Sequence, residues 1–176
     1  MDEAEQSKTK ERKMVIATRG IPADDSFYLP RHDSPELKRF QDENETITRN
    51  VWGVGELANF VFPKRYRQKY HEVALAFLNT LGEKTELSGS EIAAFVSANN
   101  FSKATFYNKV LLRLKRAGLV KVERLTVTME GKKFRPMKVS ISKTFGNYLM
   151  KIADSWLAYV DDSRERKRKQ EKLTDY

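Results

Sequence analysis

Two helix-start signals stand fourteen residues apart in this chain, and a glycine stop follows the second. At Ser88-Gly89-Ser90-Glu91 the Ser hydroxyl and the Glu carboxylate are spaced to satisfy each other's exposed amides, a capping box, and Ile92, Phe95 and Val96 follow as an apolar stripe. That helix runs out near Asn99-Asn100. Ser102 is again a good N-cap, and the helix it opens extends to Ala117, where Gly118 ends it. Two helices in such tight succession form a helix-turn-helix unit.

Before this unit, Pro63 opens a helix in which Tyr66, Tyr70, Val73, Phe77 and Leu81 recur every three or four residues, while Lys64, Arg65, Arg67 and Lys69 take the other face. Its stop is expected at Gly82. After the unit the period changes to two, with Val120, Val122, Leu125 and Val127, then Gly131, then Met137, Val139 and Ile141. That pattern predicts a β-hairpin with a basic tip, Lys132, Lys133 and Arg135. From Thr144 to Val160 the residues Phe145, Leu149, Ile152, Trp156 and Tyr159 fall at near-heptad spacing, an apolar seam on a helix that either folds back on the first helix or pairs with a second subunit.

The ends are less patterned. Residues 1–33 read as a flexible arm with at most a short ordered patch at Phe27 to Leu29, and Ser34-Pro35-Glu36 reads as the start of a polar helix reaching about Thr48. The expected plan is an arm at 1–33, a polar helix and linker at 34–62, the central domain at 63–142, a terminal helix at 143–162 and a charged, solvated tail at 163–176.

Of 33 Lys and Arg residues against 24 Asp and Glu, eleven lie between Lys103 and Lys138 with only Glu123 and Glu130 beside them, so the whole net charge of +9 resides in that segment. Such a balance favours a polyanionic partner through phosphate neutralisation. The chain has no cysteine, and His32 and His71 are its only imidazoles, so no disulfide, thiolate chemistry, metal or cofactor is expected. Gly53-Val54-Gly55 lacks the third glycine and the preceding strand of a dinucleotide fingerprint. No nucleophile, base and orienting acid stand at recognisable spacing, and the chain is expected not to be an enzyme. With no apolar run near about 18 residues and no signal peptide at Met1 to Lys13, a cytoplasmic, nucleoid-associated protein is expected.

Three phrases, Leu87-Ser88-Gly89-Ser90-Glu91-Ile92-Ala93, Phe101-Ser102-Lys103-Ala104-Thr105-Phe106-Tyr107 and Leu114-Lys115-Arg116-Ala117-Gly118-Leu119-Val120, resemble the winged-helix superfamily of bacterial and archaeal transcription regulators. The likeness covers residues 64–142. It implies a mainly α fold with a small β-hairpin wing, here carrying an added C-terminal helix, and it implies double-stranded DNA as partner, with helix 102–117 in the major groove. Amino-terminal residues of such a helix reach base edges. With Tyr107, Val110, Leu111 and Leu114 inward, Lys103, Thr105, Asn108 and Lys109 lie nearest the bases, and Asn108 is the best reader because it can pair bidentately with adenine. Arg113, Lys132, Lys133 and Arg135 are expected on the backbone, where contacts fix register. Phe106 and Leu112 fall near the outward side, able to meet thymine methyls, the wing or a partner. A homodimer through Phe145, Leu149, Ile152, Trp156 and Tyr159 would read two half-sites about 34 Å apart. A sequence-selective regulator is the leading expectation. A plasmid partition, replication-initiation or chromatin-organising protein is the alternative, and a domain used for protein contact alone is the third.

Overall fold

A computed structural model describes residues 27–31, 40–49, 51–124, 126–129 and 132–174. The expected helix start at Ser34-Pro35-Glu36 and nearly all of the arm lie outside the described residues. The fold is mainly helical, with a small three-stranded antiparallel sheet.

Helix α1 (Val54–Val61) buries Ala58, Phe60 and Val61, and Trp52 stacks on Phe60 with ring centroids 5.5 Å apart. Pro63 then serves as N-cap of α2 (Lys64–Lys84), as its fixed φ and missing amide suit it to do. From Val73 onward the expected stripe is buried, with Val73, Ala74, Phe77 and Leu81 in the core. Tyr66 is not part of it and stands 67% exposed. The reason is a break at Arg67, whose φ of −139° and ψ of 47° are not helical, so the first turn is out of phase with the rest. Gly82 does not end the helix. Termination comes at Thr85, which takes a φ of 64° while its amide donates to the Leu81 carbonyl at 2.7 Å.

Strand β1 (Glu86–Ser88) follows at once, then α3 (Gly89–Ala98) begins on the expected capping box. The Ser88 amide donates to Glu91 Oε2 at 2.9 Å and the Glu91 amide to Ser88 Oγ at 3.3 Å. These bonds, the Ser88 amide first and then the Lys84 ammonium, lower the Glu91 carboxyl from its ordinary 4.5 to about 2. A tight turn through Asn100, at φ 53°, leads to the next helix, here called α4, which spans 103–117 in three parts: α-helical Lys103–Thr105, π-helical Phe106–Leu111 and α-helical Leu112–Ala117. Gly118 ends it in the left-handed region at φ 79°. A side chain there would also meet Thr144 and the Phe145 amide at 3.1 Å, so glycine is required twice over.

The hairpin is longer and more divided than its sequence pattern suggests. β2 (Val120–Arg124) pairs with β5 (Met137–Ile141), and beyond them β3 (Val127–Met129) pairs with β4 (Lys132–Phe134) as a separate two-stranded ribbon. β1 adds to the other edge of β5, giving the order β1-β5-β2 with Val139 opposite both Leu87 and Val122. A three-residue strand is too short to show alternation, which is why sequence reading passes over it. Its Leu87 nonetheless joins Phe77, Ile92, Val96, Phe106, Val110, Leu114, Val120 and Val139 in one apolar core between the helices and the sheet.

Two further expectations are corrected. Residues 40–48 are not helical: Gln41 bridges Ile47, and the Asp42 carboxylate accepts from the amides of Asn44 and Thr46 at 2.9 and 2.8 Å, so a side chain that competes for backbone amides makes a turn there. The charged segment from 163 onward is not a separate tail through its described length, because α5 (Thr144–Thr174) continues through it as one helix. Its first turn is fastened to the domain by the Phe145 amide, which donates to the Gly118 carbonyl at 3.0 Å. The expected ordered patch also docks here: Phe27 meets Phe145 edge-on at 5.7 Å, and the Tyr28 amide donates to the Phe60 carbonyl at 2.8 Å.

Candidate nucleic-acid interface

The exposed side of α4 is set by how its buried side is anchored. Ser102 caps the helix, accepting from the Thr105 amide at 3.4 Å, so Lys103 and Ala104 stand out at its amino end. The π-helical stretch then widens the turn, since its bonds run from i to i+5. Phe106 and Leu111, five apart, both turn inward with Val110 between them. Phe106 is fully buried, edge-on to Phe77 at 4.9 Å and tilted against Phe95 at 6.0 Å. Its expected place near the outward side is therefore wrong: a strict α period does not apply across this segment. Tyr107, expected inward, is half-buried beside it.

The same shift of phase draws in Arg113. It is 7% exposed, its Nε donates to the Val61 carbonyl at 2.9 Å, and its guanidinium lies over the Phe62 ring at 5.5 Å. The expected backbone contact by Arg113 is thus replaced by a structural one, tying α4 to the end of α1. A buried cation needs such partners, because unpaired it would cost several kcal/mol.

What remains exposed on α4 is Lys103, Ala104, Asn108, Lys109, Leu112, Lys115 and Arg116, with Thr105 and Tyr107 half-buried. Of the four residues expected to lie nearest the bases, Lys103 is exposed at the amino end and Asn108 and Lys109 further along, while Thr105 is half-buried. Leu112, as expected, is outward. Arg116, which the sequence reading does not single out, stands four residues after Leu112 and eight after Asn108, and that spacing carries the signal. A shallow cleft of about 80 Å³ between α2 and α4 brings Arg67 and Tyr70 beside Asn108, Lys109 and Arg116. Arg67 reaches it through the break in α2, and no sequence period shows that.

On the ribbon, Lys133 stands opposite Thr128 and is exposed, as is Arg135; Lys132 stands opposite Met129 on the same strand. Two other cations of the basic segment are ion-paired. Lys121 pairs with Glu123, and Lys138 with Glu86. The hydrogen bond from Lys121 holds the Glu123 carboxyl below its usual range, and the bond to Glu86 raises Lys138. Hence two of the three sheet cations are paired, while exposed positive charge sits on α4, on Arg124 at the end of β2 and on the ribbon.

Of the expected seam on α5, Leu149, Ile152, Trp156 and Tyr159 are exposed. Phe145 is not available to a partner, being 6% exposed under Phe27. His71 is buried, its Nδ1 donating to the Phe62 carbonyl at 2.9 Å. Among the described residues no helix is long and apolar enough to cross a membrane. No family model matches the chain, and no curated protein or solved structure matches it.

Proposed function

We propose that this chain is a winged-helix protein that binds double-stranded DNA, with the amino-terminal half of α4 in the major groove and the β3-β4 ribbon on the phosphate backbone. Support for the fold comes from the order α2-β1-α3-α4-β2-β5, the sheet order β1-β5-β2 and the ribbon beyond it. The observation that carries the function is that Asn108, Lys109 and Arg116 line one cleft on α4, with Lys103 exposed at its amino end, while Phe106, Val110, Leu111 and Leu114 of the same helix are core. Lysines so placed neutralise phosphates, and Asn108 offers the one amide able to present a donor and an acceptor together to adenine. It acts by binding and not by catalysis, as a sequence-selective regulator on cytoplasmic, nucleoid-associated DNA.

Selection from random duplexes at about 0.15 M salt tests this directly. The expected result is a sharp motif, with Asn108→Ala relaxing preference at one position by about 1 to 3 kcal/mol. Lys133→Ala should weaken all sequences alike and flatten the dependence of log K on log salt by about 0.9. An unchanged motif in Asn108→Ala would remove α4 as reader. Salt-dependent binding with no motif would favour a partition, replication-initiation or chromatin-organising role, and no retention of duplex at low salt would leave protein contact through Leu112.

A further inference from the structure

Beyond its first turn, α5 has no apolar partner among the described residues to match its composition. Between Tyr148 and Tyr159, the side chains of Tyr148, Met150, Ile152, Trp156, Leu157 and Tyr159 are 51% to 63% exposed, and Leu149 is 36% exposed. At 100° per residue they span an arc of about 200°, much broader than the stripe of an ordinary surface helix. Together they present on the order of 900 Å² to solvent, against about 300 to 600 Å² for the largest apolar patch of a typical monomer and about 800 Å² per partner in a standard interface. The half-buried Val160 and the bond from Arg164 to Glu45 at 3.1 Å mark where the 40–48 turn closes off one end of this surface.

We propose that this surface takes a second copy of the same chain, with the two α5 helices antiparallel and crossing near residue 154. Area argues for the second copy, and charge decides the orientation. Five cations, Arg164, Arg166, Lys167, Arg168 and Lys169, follow the seam on the same helix, with Asp161 and Asp162 before them, Glu165 among them and Glu171 after. Arg164 pairs with Glu45 and Lys167 with Glu171, so the excess charge lies on Arg166, Arg168 and Lys169. A parallel pair would hold these clusters about 10 Å apart along their whole length. An antiparallel pair centred near residue 154 separates Arg166 from its counterpart by 24 residues, about 36 Å at 1.5 Å per residue, far beyond the screening length of about 8 Å at physiological salt. The same arithmetic puts the two Phe145 anchors, and so the two domains, about 27 Å apart along the pair. A two-fold axis through such a pair presents the two α4 helices to an inverted repeat; that last consequence alone rests on the DNA-binding proposal.

Sedimentation equilibrium of the full chain from 1 to 100 µM should give a species of twice 20.5 kDa. Trp156→Glu should weaken self-association at least tenfold with far-UV circular dichroism unchanged, because the side chain is 63% exposed and outside the core. Tyr159→Glu, nearly a turn further from the domain, is the second variant should the first lose structure. The chain has no cysteine, so Lys169→Cys carries a single spin label. The antiparallel pair places the two labels about 45 Å apart, a parallel pair under about 20 Å. A monomer at 100 µM, a dimer unaffected by both substitutions, or a short label distance would overturn the proposal. A monomer that still selects a duplex motif sinks the pairing and leaves DNA binding standing, whereas a dimer of the expected geometry that selects none does the reverse.

Discussion

Phe106 and Leu112 lie on the same helix, are both large and apolar, and each falls near the outward side of a simple α-helical wheel, about 120° apart. The fold separates them completely: Phe106 is 0% exposed and Leu112 is 41% exposed. Truncating Phe106 to Ala removes a ring that meets Phe77 at 4.9 Å and Phe95 at 6.0 Å and leaves a cavity in the centre of the core. A buried Phe→Ala change costs about 3 to 5 kcal/mol, and each aromatic pair lost adds about 0.5 to 1.5 kcal/mol to simple area loss, so the upper half of that range, about 4 to 5 kcal/mol, is expected. Leu112→Ala should stay within about 0.5 kcal/mol. Urea unfolding at 25 °C, followed by far-UV circular dichroism, measures both. With a slope of about 2 kcal/mol per molar, Phe106→Ala should lower the midpoint by about 2 M, while Leu112→Ala barely moves it. A loss below about 1 kcal/mol for Phe106→Ala, or equal losses for the two, would refute the π-helical shift of phase on which the interface rests.

Two further outcomes follow from buried and capped charge. Arg113→Ala leaves the Val61 carbonyl without its partner and opens a void beside Phe62, so stability should fall by about 2 to 4 kcal/mol. On the proposed DNA-binding function, binding of random-sequence duplex at 4 °C should keep its salt slope in that variant, whereas Lys109→Ala should reduce the slope by about 0.9; the opposite pattern would return Arg113 to the proposed DNA face. The Glu91 carboxyl, lowered to about 2 from 4.5, is depressed in the folded state, so its contribution is fully present above pH 4.5 and fades as pH falls toward 2. Glu91→Gln should therefore flatten the acid limb of stability between those values, read from urea midpoints at pH 5, 3.5 and 2.5. An acid limb as steep as in the parent would mean that the capping box carries no proton linkage.

The succession of α3 and α4 was legible because its signals are local. Capping at Ser88 and Ser102 and the left-handed stop at Gly118 depend on bonds within a few residues, and each stands where the residue types demand. The β2-β5 pairing was legible for a similar reason, since two-residue periodicity survives in five-residue strands. β1 was not, because Glu86–Ser88 is a strand only through its bonds to β5, far along the chain. The polar helix expected to reach Thr48 gave way to side-chain bonds from a single residue, Asp42, which outweigh a weak helical pattern. On α5 the seam was visible, but the loss of Phe145 to the core follows from its docking against Gly118 and Phe27, and no period contains that information.

By itself, then, the sequence determined three helices, α2, α3 and α4, with the start of α5, and that positive charge gathers between Lys103 and Lys138, all consequences of short-range bonding and composition; α1, inside the expected linker, and the reach of α5 to Thr174 it did not. Only the tertiary structure decided which of those charges face outward. Arg113 and Arg116 are three residues apart and chemically identical, yet one closes a hydrogen bond to Val61 in the core and the other stands exposed beside Asn108 and Lys109. Their fates diverge because the aromatic core seats Phe106 and forces a wider turn on α4, a packing constraint made by Phe77 and Phe95 from other helices.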